Sequence, residues 1–139
     1  MKLARVQNAD GDGFWVRIDE AAQNARRVRA PFSLWAPAVV QHGEAALDLQ
    51  AGCLPLAALQ FCPPVQPGAR VFGVGMNYLT HLTRLGRKQA PPHTIAYIKP
   101  SSALVPTGGE IQYPAITAQL DYEVELVAVV ARALKDEPQ

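Results

Sequence analysis

The sequence predicts an α+β fold built predominantly from short β-strands. Three observations carry this expectation. Twelve prolines are spread through 139 residues, above the usual ~5%, which favours short elements joined by rigid turns. Apolar and polar residues alternate in short runs bounded by Gly, Pro, Asn and Asp, the pattern of half-buried strands. Only one stretch repeats its apolar residues at helical spacing.

The composition suits one globular chain: 49% of residues are apolar and 18% charged, and a chain of this length buries roughly 68% of its unfolded surface. No apolar run approaches the ~20 residues of a membrane span. The opening "MKLARVQNADGDG" lacks the apolar core of a secretory signal. Thirteen Lys+Arg against twelve Asp+Glu leave a net charge of +1, with no basic stripe to neutralise phosphates, so nucleic acid is excluded as a partner. Cys53 and Cys62 form neither a CxxC pair nor a disulfide framework. They read as buried structural thiols of a soluble protein in a reducing cytoplasm.

"KLARV" and "FWVRI" flank the turn-forming cluster "NADGDG", so residues 2–18 read as a β-hairpin. The aspartates of that turn lack the further acidic positions of a calcium loop. Residues 19–61 are the least legible part. "DEAAQNARRVRAP" suits a helical turn or a polar strand, and "WAPAVVQHGEAALDLQAG" reads as loop with short structured pieces. Residues 1–61 are thus taken as an N-terminal β-rich segment. "CPPVQPGA" places three prolines and a glycine at 62–69, a linker that no helix or central strand tolerates.

"RVFGVG" then reads as a buried strand ending in a glycine turn. Tyr78, Leu82 and Leu85 follow at i, i+4 and i+7, one apolar face of a short helix stopped by Gly86. "IAYIKP" and "SALVP" are strand-like, "TGG" is a turn and "EIQYP" a returning strand. The last strand is "QLDYEVELVAVV", residues 119–130. "GVGMNY" has two of the glycines of a dinucleotide loop, but Tyr78 stands where the third belongs, so nucleotide binding is rejected.

In an extended 119–130 segment, Asp121, Glu123 and Glu125 share one face. Neighbouring carboxylates roughly 6–7 Å apart repel by about 2.5 kcal/mol at an effective dielectric near 20. Water, a cross-strand Lys or Arg, a retained proton or a metal ion must relieve this. A solvated strand face is the plain alternative. Yet the run continues into "LVAVV", apolar on both faces, which places the carboxylates where a buried strand meets a cleft. A hard, oxygen-ligated cation, Mg²⁺, Mn²⁺ or Ca²⁺, suits that border, with a third ligand from elsewhere. His81 is either a surface or capping residue of its short helix, or a catalyst placed beyond a strand end. His42 and His93 have no evident partner.

"VFGVGMNYLTHLTRLG" at 71–86, "YIKPSSALVPTGGEIQYP" at 97–114 and "QLDYEVELVAVV" at 119–130 together resemble the fumarylacetoacetate hydrolase superfamily. The resemblance implies a mixed β-roll around a divalent cation, Mg²⁺ or Mn²⁺, with residues 70–139 as the first part of its catalytic domain. It implies Glu123 and Glu125 as metal ligands and His81 as the general base that activates water; Asp121 is not a ligand in the family and reads as a support for the pair. Lys99 is implied near the site, paired either with a substrate carboxylate or with Asp121. The substrate implied is a small diketo or 2-keto acid, cleaved at a carbon-carbon bond beside its carbonyl so that an enolate is released. Decarboxylation, isomerisation and hydration are the neighbouring reactions.

Two departures accompany the resemblance. The glutamate that the family's hydrolases set three residues after the histidine is Arg84 here. A guanidinium cannot accept a hydrogen bond, so the His/Glu dyad is absent. The family's third metal ligand and its catalytic lysine lie beyond the ExE strand, so the β-roll is expected to be incomplete in this chain. "ALKDEPQ", 133–139, reads as the turn before a further helix. The expectation is a homo-oligomer, association with a chain that completes the domain, or a non-catalytic subunit acting as a structural partner.

Overall fold

The computed structural model describes residues 1–136 and divides them into two compact units. One joins Met1–Gln66 to the segment from Val105 onward, and the other is Pro67–Leu104. Strands outweigh helices in both. All five strand pairings are antiparallel, as short strands joined by short turns require.

The first unit is organised by a five-stranded sheet of order β4-β3-β2-β1-β5. Strands β1 (Lys2–Gln7) and β2 (Gly13–Asp19) form the expected hairpin, with Ala4 opposite Val16 and Val6 opposite Phe14. Its turn is set by Asn8, whose Oδ1 accepts the Asp12 N–H at 2.8 Å, and by Gly11 at φ +86°, a conformation glycine adopts without cost. Strand β3 (Asn24–Arg27) pairs with β2, which resolves the ambiguous "NARR" as strand. β4 (Leu54–Pro55) and β5 (Gln60–Phe61) close the two edges.

Alternation along these strands buries both faces. Ala4, Val6, Val16 and Ala25 form one core, covered by Leu54, Leu56, Leu59 and Phe61. Val6 and Val16 are fully buried, each stabilising the sheet by about 1.5–3 kcal/mol relative to exposure. The opposite face carries Trp15 and Val28, which pack against Trp35 and Ala36. Trp35 rides helix α1 (Phe32–His42), where the sequence suggested loop. That helix is a correction: Pro37 lies inside it, and the missing N–H and ring clash normally disfavour a helix there. The gain that overrides this is an aromatic triad. Trp15, Phe32 and Trp35 hold ring centroids 5.0–5.4 Å apart in tilted and edge-on geometries. Gly43, at φ +69°, ends the helix and donates its N–H to the Val39 carbonyl.

The Trp15 and Trp35 Nε1–H groups are buried without a hydrogen-bond partner among the described residues. The cysteine expectation is corrected as well. Cys53 is exposed; Cys62 is half-buried, with its Sγ 3.7 Å from Gln7 Oε1.

The second unit contains a two-stranded sheet, β6 (Val71–Gly75) against β7 (Ile95–Lys99), with Phe72 opposite Ile98 and Gly73 opposite Tyr97. A Cβ at Gly73 would meet the far end of the Tyr97 ring that lies across it, so that half-exposed ring would have to shift. Met76, at φ +54°, turns the chain from β6 into helix α2 (Leu79–Arg84). Of the expected apolar face only Leu82 is buried, at 1% exposure; Tyr78 and Leu85 are 42% and 54% exposed. Gly86, at φ +71°, closes the helix as expected, its N–H bonded to Thr83.

From Val105 to Asp136 no strand or helix forms, which overturns three strand expectations. "SALVP", residues 102–106, begins within a 3-10 turn at Ser101–Ala103, "EIQYP" is irregular, and residues 119–130 are irregular and exposed throughout. The expected "TGG" turn is present, with the Gly109 N–H bonded to the Pro106 carbonyl. A strand exists only where a neighbour takes up its backbone groups, and alternation in the sequence supplies none. Ala131 packs on the tryptophan cluster. Part of the turn expected over 133–139 lies outside the described residues.

Candidate functional site

His81 stands on α2, the first helix after β6, and is exposed beside the buried Leu82. The six-residue helix is too short to persist alone, so Leu82 is what holds the imidazole on its scaffold. Arg84 occupies the next position of the same helix face, at i+3. No carboxylate is present anywhere in Pro67–Leu104, so no residue of that unit can orient the imidazole as a glutamate would. Lys99 ends β7, opposite Val71, and is exposed.

Asp121, Glu123 and Glu125 belong to the irregular segment of the other unit and are exposed. The strand expected over residues 119–130 is not formed among the described residues, so no sheet fixes the shared face inferred from alternation. Asp121 turns its Oδ1 onto the Tyr122 N–H at 2.8 Å. Among the described residues no group of three or more His, Cys, Asp or Glu is placed to hold a metal ion. Glu123 and Glu125 suit a hard divalent cation as donors, but the described residues do not fit one in number or placement.

The N-terminal unit carries an open groove of about 390 Å³ that the sequence did not reveal, lined by Arg17, Glu44, Lys2 and Glu20 among others. Its charges are already matched. The Arg17 Nε donates to Glu44 Oε1 at 2.7 Å, and the Lys2 Nζ to Glu20 Oε2 at 2.6 Å. The hydrogen bond to Glu44, then its charge, raises the Arg17 pKa above its ordinary value. The groove thus reads as a surface ion-pair network. No helix among the described residues is long and apolar enough to cross a membrane.

The strands, the glycine turn and the short helix bearing His81 define a β-rich α+β chain. The chain belongs to the fumarylacetoacetate hydrolase family: residues 70–139, half of the chain, match the model described as fumarylacetoacetate (FAA) hydrolase C-terminal. It is similar to an uncharacterized protein of Archaeoglobus fulgidus, 36% identical over 86 residues, covering 62% of this chain and 34% of the relative. It is also 36% identical over 72 residues to the mitochondrial oxaloacetate tautomerase FAHD2 of Arabidopsis thaliana, covering 52% and 32%. With protein Rv2993c of Mycobacterium tuberculosis it shares 26% identity over 138 residues, 99% of this chain and 49% of the relative. The chain thus spans about a third to a half of the length of these relatives. No solved structure matches it.

Proposed function

We propose that residues 70–139 form the first part of a metal-dependent catalytic domain, an incomplete mixed β-roll, that cleaves a carbon-carbon bond in a small diketo or 2-keto acid of the acylpyruvate type. The observation that carries this is the family match over residues 70–139, which contains His81, Lys99, Glu123 and Glu125. In this reading Glu123 and Glu125 are two ligands of Mg²⁺ or Mn²⁺, Asp121 supports them, and the remaining ligand comes from outside the described residues. The bound ion would supply positive charge where an enolate develops. His81 takes the proton of the attacking water, and Lys99 pairs with a substrate carboxylate. The protein acts in the cytoplasm, as a homo-oligomer or with a chain that completes the domain.

A second reading within the family is isomerisation. The Arabidopsis relative is named an oxaloacetate tautomerase, and Arg84 with the carboxylate-free α2 unit favours chemistry that moves a proton without activating water. A third reading, a non-catalytic structural subunit, is favoured by Arg84 in place of the family glutamate.

Titration with Mn²⁺ followed by turnover separates the three. Micromolar binding abolished by Glu123→Ala supports the metal reading, and no binding even with a co-purified partner sinks it. Turnover of an acylpyruvate supports hydrolysis, whereas keto-enol exchange of oxaloacetate alone supports isomerisation. Hydrolysis that survived His81→Ala would remove the general-base role.

A further inference from the structure

The unit Pro67–Leu104 carries charge of one sign only. It contains Arg70, Arg84, Arg87, Lys88 and Lys99 and no Asp or Glu. Arg84, Arg87 and Lys88 fall within one short stretch at the C-terminal end of α2, and all three are exposed. None of them forms an ion pair with a described residue. Arginines of the N-terminal unit are engaged instead: Arg17 with Glu44, Arg29 with Asp48, and Arg26 with the Gln50 carbonyl.

The backbone gathers these cations beside His81. The Gly86 N–H bonds to the Thr83 carbonyl at 3.0 Å and the Arg87 N–H to the Leu82 carbonyl at 2.9 Å, so the chain folds back over the last turn of α2 instead of running away from it. Arg84 itself stands one turn from His81, at i+3, where Cβ atoms are about 5–6 Å apart. Both side chains are exposed, while Leu82 between them is buried. A helix dipole favours a cation at its C-terminal end, and one side chain satisfies it. Three without a counter-charge set up a positive field that concentrates small anions. A guanidinium is also the cation whose planar fork bonds a carboxylate in two places at once.

We propose that Arg84 is a specificity-determining residue: its guanidinium takes a second carboxylate, at the far end of a 2-keto acid substrate, while Arg87 and Lys88 supply the surrounding positive field. The inference rests on the catalytic reading of residues 70–139. A glutamate at this position would accept a hydrogen bond from His81 and repel an anionic substrate group; arginine does neither and attracts it. A carboxylate a few bonds from the carbon at which His81 acts lies within reach of a long side chain one helical turn away. The substrate selected is a 2-keto acid with a charged far end, in preference to an acylpyruvate that ends in a methyl group.

Two measurements on the full chain separate this proposal from the catalytic reading. In EDTA and at constant ionic strength, succinate is titrated while the backbone amide NMR signals of residues 79–88 are followed. The expected result is a saturable shift whose dissociation constant rises roughly tenfold in Arg84→Gln, the loss of one charge-assisted contact. It rises less in Arg84→Lys, which keeps the charge without the fork, and is unchanged in Arg70→Gln, ahead of β6. With Mn²⁺ bound, Arg84→Gln raises KM for oxaloacetate roughly tenfold more than KM for acetopyruvate, which lacks the second carboxylate. Shifts that are absent, that fail to saturate or that survive Arg84→Gln undiminished overturn the proposal, as does a KM that rises equally for both substrates. Turnover of neither substrate counts against the catalytic reading alone, and the succinate titration then decides for or against Arg84 as the carboxylate site.

Discussion

Replacing Trp35 by alanine and, separately, by phenylalanine divides the aromatic triad into what its area contributes and what its indole N–H costs. Trp35 is 6% exposed and contacts Trp15 and Phe32 edge-on at 5.3 and 5.0 Å between centroids. Truncation to alanine removes that packing and leaves a cavity, at a cost of about 3–5 kcal/mol. Phenylalanine keeps a ring in the site. It gives up about 1 kcal/mol of transfer energy for the smaller ring, but it also eliminates a buried Nε1–H that has no partner among the described residues. Such a group costs about 1–3 kcal/mol. The two terms oppose, so Trp35→Phe is expected within about 1 kcal/mol of the parent. Urea unfolding followed by the fluorescence of Trp15, the other tryptophan of the chain, reads this directly. With a slope near ~2 kcal/mol/M, the midpoint falls by about 1.5–2.5 M for alanine and by less than about 0.5 M for phenylalanine. A phenylalanine variant that falls as far as the alanine one would refute the reasoning, because the indole N–H would then be making a bond worth keeping.

Three further outcomes are expected. Leu82→Ala removes the one buried side chain of α2, costs about 2–5 kcal/mol, and speeds amide exchange across 79–84 while leaving β1–β2 protection unchanged. Gly73→Ala places a methyl group against the Tyr97 ring; the expected cost is about 1 kcal/mol, and it disappears in a Tyr97→Ala background, as thermal midpoints of the four variants will show. The Arg17–Glu44 pair lies on the surface, with side chains 30% and 44% exposed, so a double-mutant cycle should return only a small coupling that shrinks further in high salt.

How far the sequence reveals the fold depends on how local each decision is. The β1–β2 hairpin, β6, β7 and the stop at Gly86 are all legible, because a turn cluster, an alternating run or a glycine sits within a few residues of the structure it dictates. Helix α1 is not. Pro37 argues against it locally, and only the packing of Trp35 on Trp15, twenty residues away in the chain, overrides that objection. The candidate site divides in the same way. His81 and Arg84 fall on one short helix as their spacing indicates, so the missing His/Glu dyad is visible in the sequence alone.

The carboxylates mark the limit. The order and spacing of the motifs identify the family by themselves, since residues 70–139 match it. Whether the carboxylates share a face is a different kind of fact. Alternation states how residues 119–130 would point if the backbone were extended and paired. Pairing depends on a neighbouring strand that lies elsewhere in the chain or outside it. Without such a neighbour among the described residues, the segment stays irregular and exposed, and no three-ligand metal group forms there. Residue identity determined which groups are available for chemistry; the tertiary structure decided whether they meet, because hydrogen bonds between strands are made with partners that no local pattern contains.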